Sequence, residues 1–468
     1  MTSKVKQPNI LMISVHDLGT RLHCYGYESV RSPNLDRLAR EGVRFDKNFC
    51  TSPYCSPSRG SMITGLYPHS NGLMGLVNLG WQWRPENVTI ARALGSHGYE
   101  TYLFGFQHEA SDDRVEDLGF QHVSDRSIKQ KCSNVAPRVM SFLESRKGNP
   151  DPFYARVGFT EVHRSFKGYM PEDPAEVTVP GWLEDTPGAR EDLAQYDGAI
   201  RHMDAAVGDI LAALESAGLA ENTLVVFTTD HGPPFPWAKS TLYDAGVNTT
   251  LIARWPAGFK AGQVRNELIS NVDLFPTLLE AAGMDVPEHI HGRSFLPLLQ
   301  GGDYEPRSEI FTEKNTNATD IKRSVRTDRY KFIRNYVPGP GILLADSEGS
   351  LTRRDMGNAH AAPRPEFELY DMDADPYEKA NLAGLSEFTE IQADLAERLQ
   401  RIQKETEDPL LNGPIPRPER EKEILDGAYR NVISRCGYSR DGLINTYEES
   451  FGKEWQFAET PVECSSPQ

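Results

Sequence analysis

The chain has 468 residues, a quarter of them charged, and a formal net charge of −17. That balance argues against nucleic-acid binding as the main task, and no apolar run is long enough to span a membrane. The length suffices for two packed units with a large core. Residues 1–8 lead straight into a strand and do not read as a signal peptide. Six scattered cysteines (Cys24, Cys50, Cys55, Cys132, Cys436, Cys464) show neither CxxC nor zinc spacing. Both features predict a cytoplasmic protein in a reducing compartment.

In chain order, the first apolar, β-branched run covers residues 9–15 and ends in His16-Asp17. A helix is predicted over 33–40, with Leu35, Leu38 and Ala39 on one side, and another over 91–97. A strand over 101–106 ends in Gln107-His108-Glu109, and one over 153–159 ends in Thr160-Glu161-Val162-His163-Arg164. A long amphipathic helix is read at 192–217. The strand over 223–229 ends in Asp230-His231-Gly232 and runs into a Pro- and Gly-rich loop that carries Lys239. A strand over 249–255 and a helix over 272–282 follow. The alternation predicts a doubly wound α/β domain over 1–300 with a mostly parallel sheet.

Beyond Gly301 the rhythm changes to short strands at 309–313, 323–326, 330–335 and 367–371, then a helix over 385–406. This predicts a smaller α+β domain over 301–468, with a tail from Pro409 that wraps the surface.

Ligands of open α/β sheets bind beyond the carboxyl ends of the strands. A single His-Asp pair after a strand is more often a turn or a cap. Four strand ends that each carry histidine or carboxylate predict one shared site. Asp17, Asp230 and His231 form a candidate metal set of oxygen and nitrogen donors, with His16 a fourth. A lone lysine is usually a solvated charge, so the case for Lys239 rests on its position.

The segment Cys55-Ser56-Pro57-Ser58-Arg59-Gly60-Ser61-Met62-Ile63-Thr64-Gly65 reads as a helix start. Pro57 suits the first turn, and Ser56 and Ser58 are capping-type residues. Cys55 is thereby expected at a helix N-terminus, a place that favours an anion, with Arg59 one turn further in. An isolated cysteine there would most simply be a buried structural one.

The whole pattern resembles the C-x-P-S-R-x-x-x-x-T-G motif of the type I sulfatases. Residues 64–73, 185–194, and 234–236 with 242–243 look closest to the heparan N-sulfatase (sulfamidase) branch, and residues 367–371 with 375–376 and 381–383 resemble the family's C-terminal signature. The resemblance runs from Pro8 to about Ala383 and implies an alkaline-phosphatase-like fold with a small antiparallel domain. It implies that Cys55 is oxidised to Cα-formylglycine by a formylglycine-generating enzyme. Its hydrated aldehyde attacks sulfur. Arg59 then stabilises that group, and Asp17, Asp230 and His231 hold a divalent cation, usually calcium. Lys239 grips the sulfate, His163 protonates the leaving atom, and His108 is the base that releases the aldehyde. The substrate is a small sulfate or sulfamate, on a sugar or an aryl group. Sequence leaves the oligomeric state open, with a homo-oligomer among the options.

Two departures stand out. The family's Asp-Asp after the first strand is His16-Asp17, which favours Mn or Zn over Ca. The family's Gly-Lys-x-His is Gly105-Phe106-Gln107-His108, so a sulfate-binding lysine is missing. Arg164 and His69 are the candidates to replace it. Competing readings are a phosphonate monoester or phosphodiester hydrolase on the same site, and a degenerate, non-catalytic sulfate-binding protein.

Overall fold

The computed structural model describes residues 7–315 and 320–428. The large sheet is built from β1 (Asn9–Val15), β2 (Val43–Phe45), β3 (Glu100–Gly105), β4 (His122–Val123), β5 (Phe153–Gly158), β6 (Thr223–Thr229), β7 (Leu251–Arg254) and β8 (Gln263–Arg265). Their spatial order is β4-β3-β5-β1-β6-β7-β2-β8. All neighbours are parallel except β7, which runs antiparallel to both β6 and β2.

The continuous apolar run of β1 follows from this position. Leu11, Ile13 and Val15 face one core and Ile10 and Met12 the other. A central parallel strand covered on both faces has no polar side to show. The first core lies under the helices Pro33–Arg40, Cys132–Ser145 and Pro187–Ser216. The second lies under Ile90–Ser96 and Leu274–Ala281. This is the doubly wound arrangement expected from the alternation.

The long helix starts five residues earlier than its apolar period suggests. Thr186 caps it by accepting from the Ala189 N–H at 3.2 Å, and Pro187 occupies the first turn. Here Pro-Gly opens a helix rather than breaking a chain. The helix Cys132–Ser145, with Pro137 inside it, was not predicted. Neither were β2 and β8, each too short for a periodic signal.

Four C-terminal strands, β9 (Ile310–Lys314), β10 (Lys322–Arg326), β11 (Tyr330–Asn335) and β12 (Phe367–Asp371), form a separate antiparallel sheet in sequential order. The helix Thr389–Glu405 covers it through Leu395, Leu399 and Ile402. The tail then crosses back to the larger unit. Leu410 and Ile415 join Val77, Leu79 and Trp81, and the Trp81 indole donates to Glu421 at 3.1 Å. Residues beyond 428, Cys436 and Cys464 among them, lie outside the described residues.

Arg323 on β10 is fully buried and donates to both oxygens of the buried Asp408, at 2.6 and 2.9 Å. Removing the guanidinium strands a carboxylate without water. Arg323→Ala should therefore cost about 3–5 kcal/mol in denaturant unfolding. A loss under about 1 kcal/mol would show that this pair does not tie the tail to the sheet.

Candidate active site

Strands β3, β5, β1 and β6 are consecutive in the sheet, so their carboxyl ends open onto one place. The segments that follow bring His108, His163, His16 and His231 together. The His16 ring lies 4.9 Å from that of His163 and 6.3 Å from those of His108 and His231. Gly105, at φ +79°, turns the chain out of β3. A Cβ there would sit 2.2 Å from the Gly158 carbonyl, so only glycine allows this close strand exit. Asp17 also takes a left-handed φ of +52°, a conformation that Asp tolerates better than most residues.

Cys55 opens the helix Cys55–Thr64, which ends on the left-handed Gly65. Its Sγ lies 3.4 Å from His231 Nε2 and 3.8 Å from His16 Nδ1. The expected serine caps do not form. Ser58 Oγ donates to the Asp230 carbonyl, and Ser56 Oγ accepts from the Val77 N–H. The helix faces protein acceptors and donors here, and the two hydroxyls join it to β6 and the following loop rather than to its own end.

His16, Asp17, Cys55, Asp230 and His231 each offer a ligand atom, all within 4.8 Å of one another, and all five are buried. His231 Nδ1 lies 2.9 Å from the Gly232 carbonyl, which fixes the tautomer and leaves Nε2 as the free ligand atom. His16 Nδ1 lies 2.8 Å from Asp17 Oδ1 and 3.2 Å from Asp230 Oδ2. Two carboxylates and two imidazoles converging in this way fit a divalent cation.

The charges are balanced in pairs. Burial pushes Asp17 up, but Lys239 first and then His163 hold it well below the usual carboxylate range. Asp230 is likewise held down by His16, His231 and Arg59 against burial. Arg59 donates to Asp230 Oδ2 (3.0 Å), Ser14 Oγ (3.1 Å) and the Val15 carbonyl (2.7 Å). Three of its five N–H groups are thus engaged within the protein. Burial pushes the Cys55 thiol well up, so the unmodified residue is a neutral thiol.

Lys239 Nζ contacts Asp17 Oδ2 at 2.7 Å, Asp346 Oδ2 at 2.8 Å and His163 Nε2 at 3.3 Å. All three ammonium donors are used. Asp346 is the site residue that sequence reasoning missed. It lies in the turn Ala345–Ser347, far from every strand-end motif, and no local pattern marks it.

Phe106 lies inside the site, its ring 4.8 Å from His16 and 5.4 Å from the Arg59 guanidinium. Neither proposed substitute for the missing lysine reaches it. His69 is buried between Glu313 and Thr406, and Arg164 donates to Asp192 and the Pro234 carbonyl. Both are drawn off by acceptors that the sequence could not place beside them. Glu109 and Glu161, also at strand ends, serve as scaffold: Glu109 pairs with Arg156, and Glu161 accepts from Tyr169 and the Cys132 N–H.

Burial drives His16 down to about 4 and His108 to about 3, the latter also repelled by His16 and Arg59. Both are neutral at neutral pH, and His108 Nδ1 has no partner among the described residues. The unfolded chain protonates these imidazoles first, near pH 6.5, so stability falls as pH drops from there toward 3. In the metal-free protein, His108→Gln should flatten the slope by up to about 1.4 kcal/mol per pH unit. An unchanged slope in urea titrations between pH 6.5 and 4.5 would mean that His108 titrates alike in both states.

Comparison with known proteins agrees with this geometry. Residues 8–284 match the Sulfatase family, and residues 235–348 match the family described as N-sulphoglucosamine sulphohydrolase, C-terminal. An ulvan-active sulfatase of Formosa agariphila is 29% identical over 85% of this chain and 74% of its own. Human N-sulphoglucosamine sulphohydrolase is 28% identical over 88% of this chain and 93% of its own. Among solved structures, one of a protein in complex with its substrate D-glucosamine-2-N,6-O-disulfate superposes with a TM-score of 0.69. It is 22% identical and is covered over 86% of this chain and 99% of that one. With its alkaline-phosphatase-like pairing of a large, mostly parallel sheet with a four-stranded antiparallel one, and a cysteine motif set at the carboxyl ends of the central strands, the chain belongs to the sulfatase family of sulfuric ester hydrolases.

Proposed function

We propose that this protein hydrolyses a sulfate ester or sulfamate borne by a sugar, with Cys55 converted to formylglycine as the attacking residue. The observation that carries the reading is the contact of Cys55 Sγ with His231 and His16 inside the Asp17–Asp230 cluster. His16, Asp17, Asp230 and His231 would hold the divalent cation that the family implies. When bound, it supplies Lewis-acid stabilisation of charge on the non-bridging oxygens. Calcium is the family's usual ion, while two imidazole donors suit Mn or Zn equally well.

The remaining roles follow from contacts. Arg59 acts mainly by orienting Asp230, to which it donates. Lys239 is the cation available to the anion, and His163, 3.3 Å away, is placed to move a proton to the leaving atom. His108, neutral and with a free ring nitrogen, is suited to take up a proton. The domain boundary near residue 300 fits the separation of the two sheets, although the turn at Asp346 reaches back into the site. We also retain a formylglycine-generating enzyme as partner. A cytoplasmic location is part of the same proposal, and Cys24, Cys50, Cys55 and Cys132 are free thiols. Among the described residues no helix is long and apolar enough to cross a membrane.

Coexpression with a formylglycine-generating enzyme should move the Cys55 peptide from the mass of the thiol to that of the aldehyde and raise activity on sulfated sugars. Cys55→Ala should remove that activity, and Asp230→Ala should lose bound metal in elemental analysis. Undiminished turnover by Cys55→Ala would refute the assignment.

Asp346 bears on the choice between sulfate and phosphate chemistry. An anion that reaches Lys239 must displace one of its carboxylates. Asp346, at 29% side-chain exposure against 0% for Asp17, is the freer of the two. A second carboxylate in the site repels a phosphate dianion more than a sulfate-ester monoanion. Asp346→Asn should therefore raise kcat/KM for an aryl phosphate relative to an aryl sulfate by about tenfold. A ratio that stays constant or falls would show that Asp346 does not set this preference.

A further inference from the structure

The loop that carries Lys239 has a second face. Two residues before the lysine, Trp237 lines a cavity of about 470 Å³. Its other aromatic walls are Trp182, Tyr243, Tyr370 and Tyr377, with Lys379 at the Tyr377 side. The volume falls in the range of about 300–1,000 Å³ typical of small-ligand sites. The walls are built, not accidental. The hydroxyls of Tyr243 and Tyr370 both donate to Glu368, at 2.9 and 2.7 Å, which fixes their rings. Tyr377 packs on Gly181, where a Cβ would lie 2.3 Å from its ring, and the Lys379 ammonium stands 5.8 Å from the Tyr377 centroid.

Trp237 adopts a φ of +66° and Ser240 one of +69°. Glycine is the unstrained residue at such angles, and a bulky side chain there is an outlier. The loop is held in this shape by Lys239 N–H to the Pro233 carbonyl, Ser240 N–H to the Pro53 carbonyl and Ser240 Oγ to the Leu343 carbonyl. The result is a loop whose lysine contacts Asp17 while its tryptophan is left on the cavity wall. A strained tryptophan where glycine would fit implies a use for the indole itself. Among the described residues neither the Trp182 nor the Trp237 indole N–H donates to a protein acceptor, so both are available to a ligand.

We propose that this cavity is a glycan subsite that binds unsulfated sugar rings of the chain bearing the scissile sulfate. A pyranose has an apolar C–H face to stack on indole and phenol rings, and hydroxyls for the two free indole donors. Trp237 and Lys239 are separated by at most about 7 Å of chain, which places the cavity beside the loop that carries the lysine. The inference rests on the sulfated-sugar reading above, and the experiment separates the two.

Tetrasaccharides from heparan sulfate, chondroitin sulfate and ulvan, each native and chemically desulfated, are titrated by calorimetry and tryptophan fluorescence into metal-loaded enzyme whose Cys55 has been converted to formylglycine. At least one desulfated probe should bind one to one. Trp237→Gly should weaken it about tenfold or more, the scale of losing an aromatic platform, with a thermal midpoint equal to or above the parent's. Tyr377→Ser, at an exposed position, gives a second variant free of the backbone question and should weaken the same probe. Absence of binding by every desulfated probe, or equal binding by both variants, overturns the subsite. Turnover of the native probes is followed in parallel. Turnover without desulfated binding sinks the subsite alone, whereas desulfated binding without turnover keeps the subsite and sinks the hydrolase reading.

Discussion

Asp17 and Asp230 end neighbouring central strands, both fully buried, and both bonded to the same imidazole. Two unscreened carboxylates so close would not stay ionised in a dry interior without nearby positive charge. The architecture of the site is an answer to that constraint. Arg59 reaches Asp230 from the first turns of the cysteine helix, and Lys239 reaches Asp17 from a strained loop. The cysteine comes with Arg59, because both sit on one short helix whose serine is bonded to the Asp230 carbonyl. Placement of the cysteine and neutralisation of the two buried carboxylates are thus one structural event.

The same constraint explains how a protein of net charge −17 can address an anion. Long-range attraction is not available to it. Its local cations are instead paired with internal carboxylates, Lys239 with both Asp17 and Asp346. Phe106 adds to this economy of charge. Where the family pattern has lysine, an aromatic ring shields His16 and Arg59 from solvent, which makes the remaining charges interact more strongly and lowers their number.

The smaller unit contributes more than an appended sheet. Its buried cation–carboxylate network, Arg323 with Asp408 and Glu313, also holds His69, which sits beside the cysteine helix in sequence but is turned away from the site. Further along, Leu343 and Asp346 pack back on the loop after β6, where Ser240 donates to the Leu343 carbonyl and Lys239 to Asp346. A loop with left-handed residues at 237 and 240 keeps its shape only because such distant contacts over-determine it.

Much of this was legible in the chain. The strand limits 9–15 and 223–229 and the helix 33–40 were read exactly as they occur, because buried strands and amphipathic helices impose their period on local sequence. His16, Asp17, Asp230, His231, His108 and His163 were read as one cluster because the carboxyl ends of parallel strands share one edge, a rule that needs no coordinates, whereas Cys55 was marked by its own motif at a helix start. What the sequence determined by itself was therefore the fold class and the chemical inventory. Tertiary structure alone decided which groups pair: that Ser56 and Ser58 are not caps, that Arg164 and His69 do not replace a lysine, that Asp346 enters from more than a hundred residues away in sequence, and that Trp237 turns from the site toward an aromatic cavity. Period and motif are properties of neighbouring residues, whereas a hydrogen bond or an ion pair between distant segments exists only once packing has brought donor and acceptor within reach.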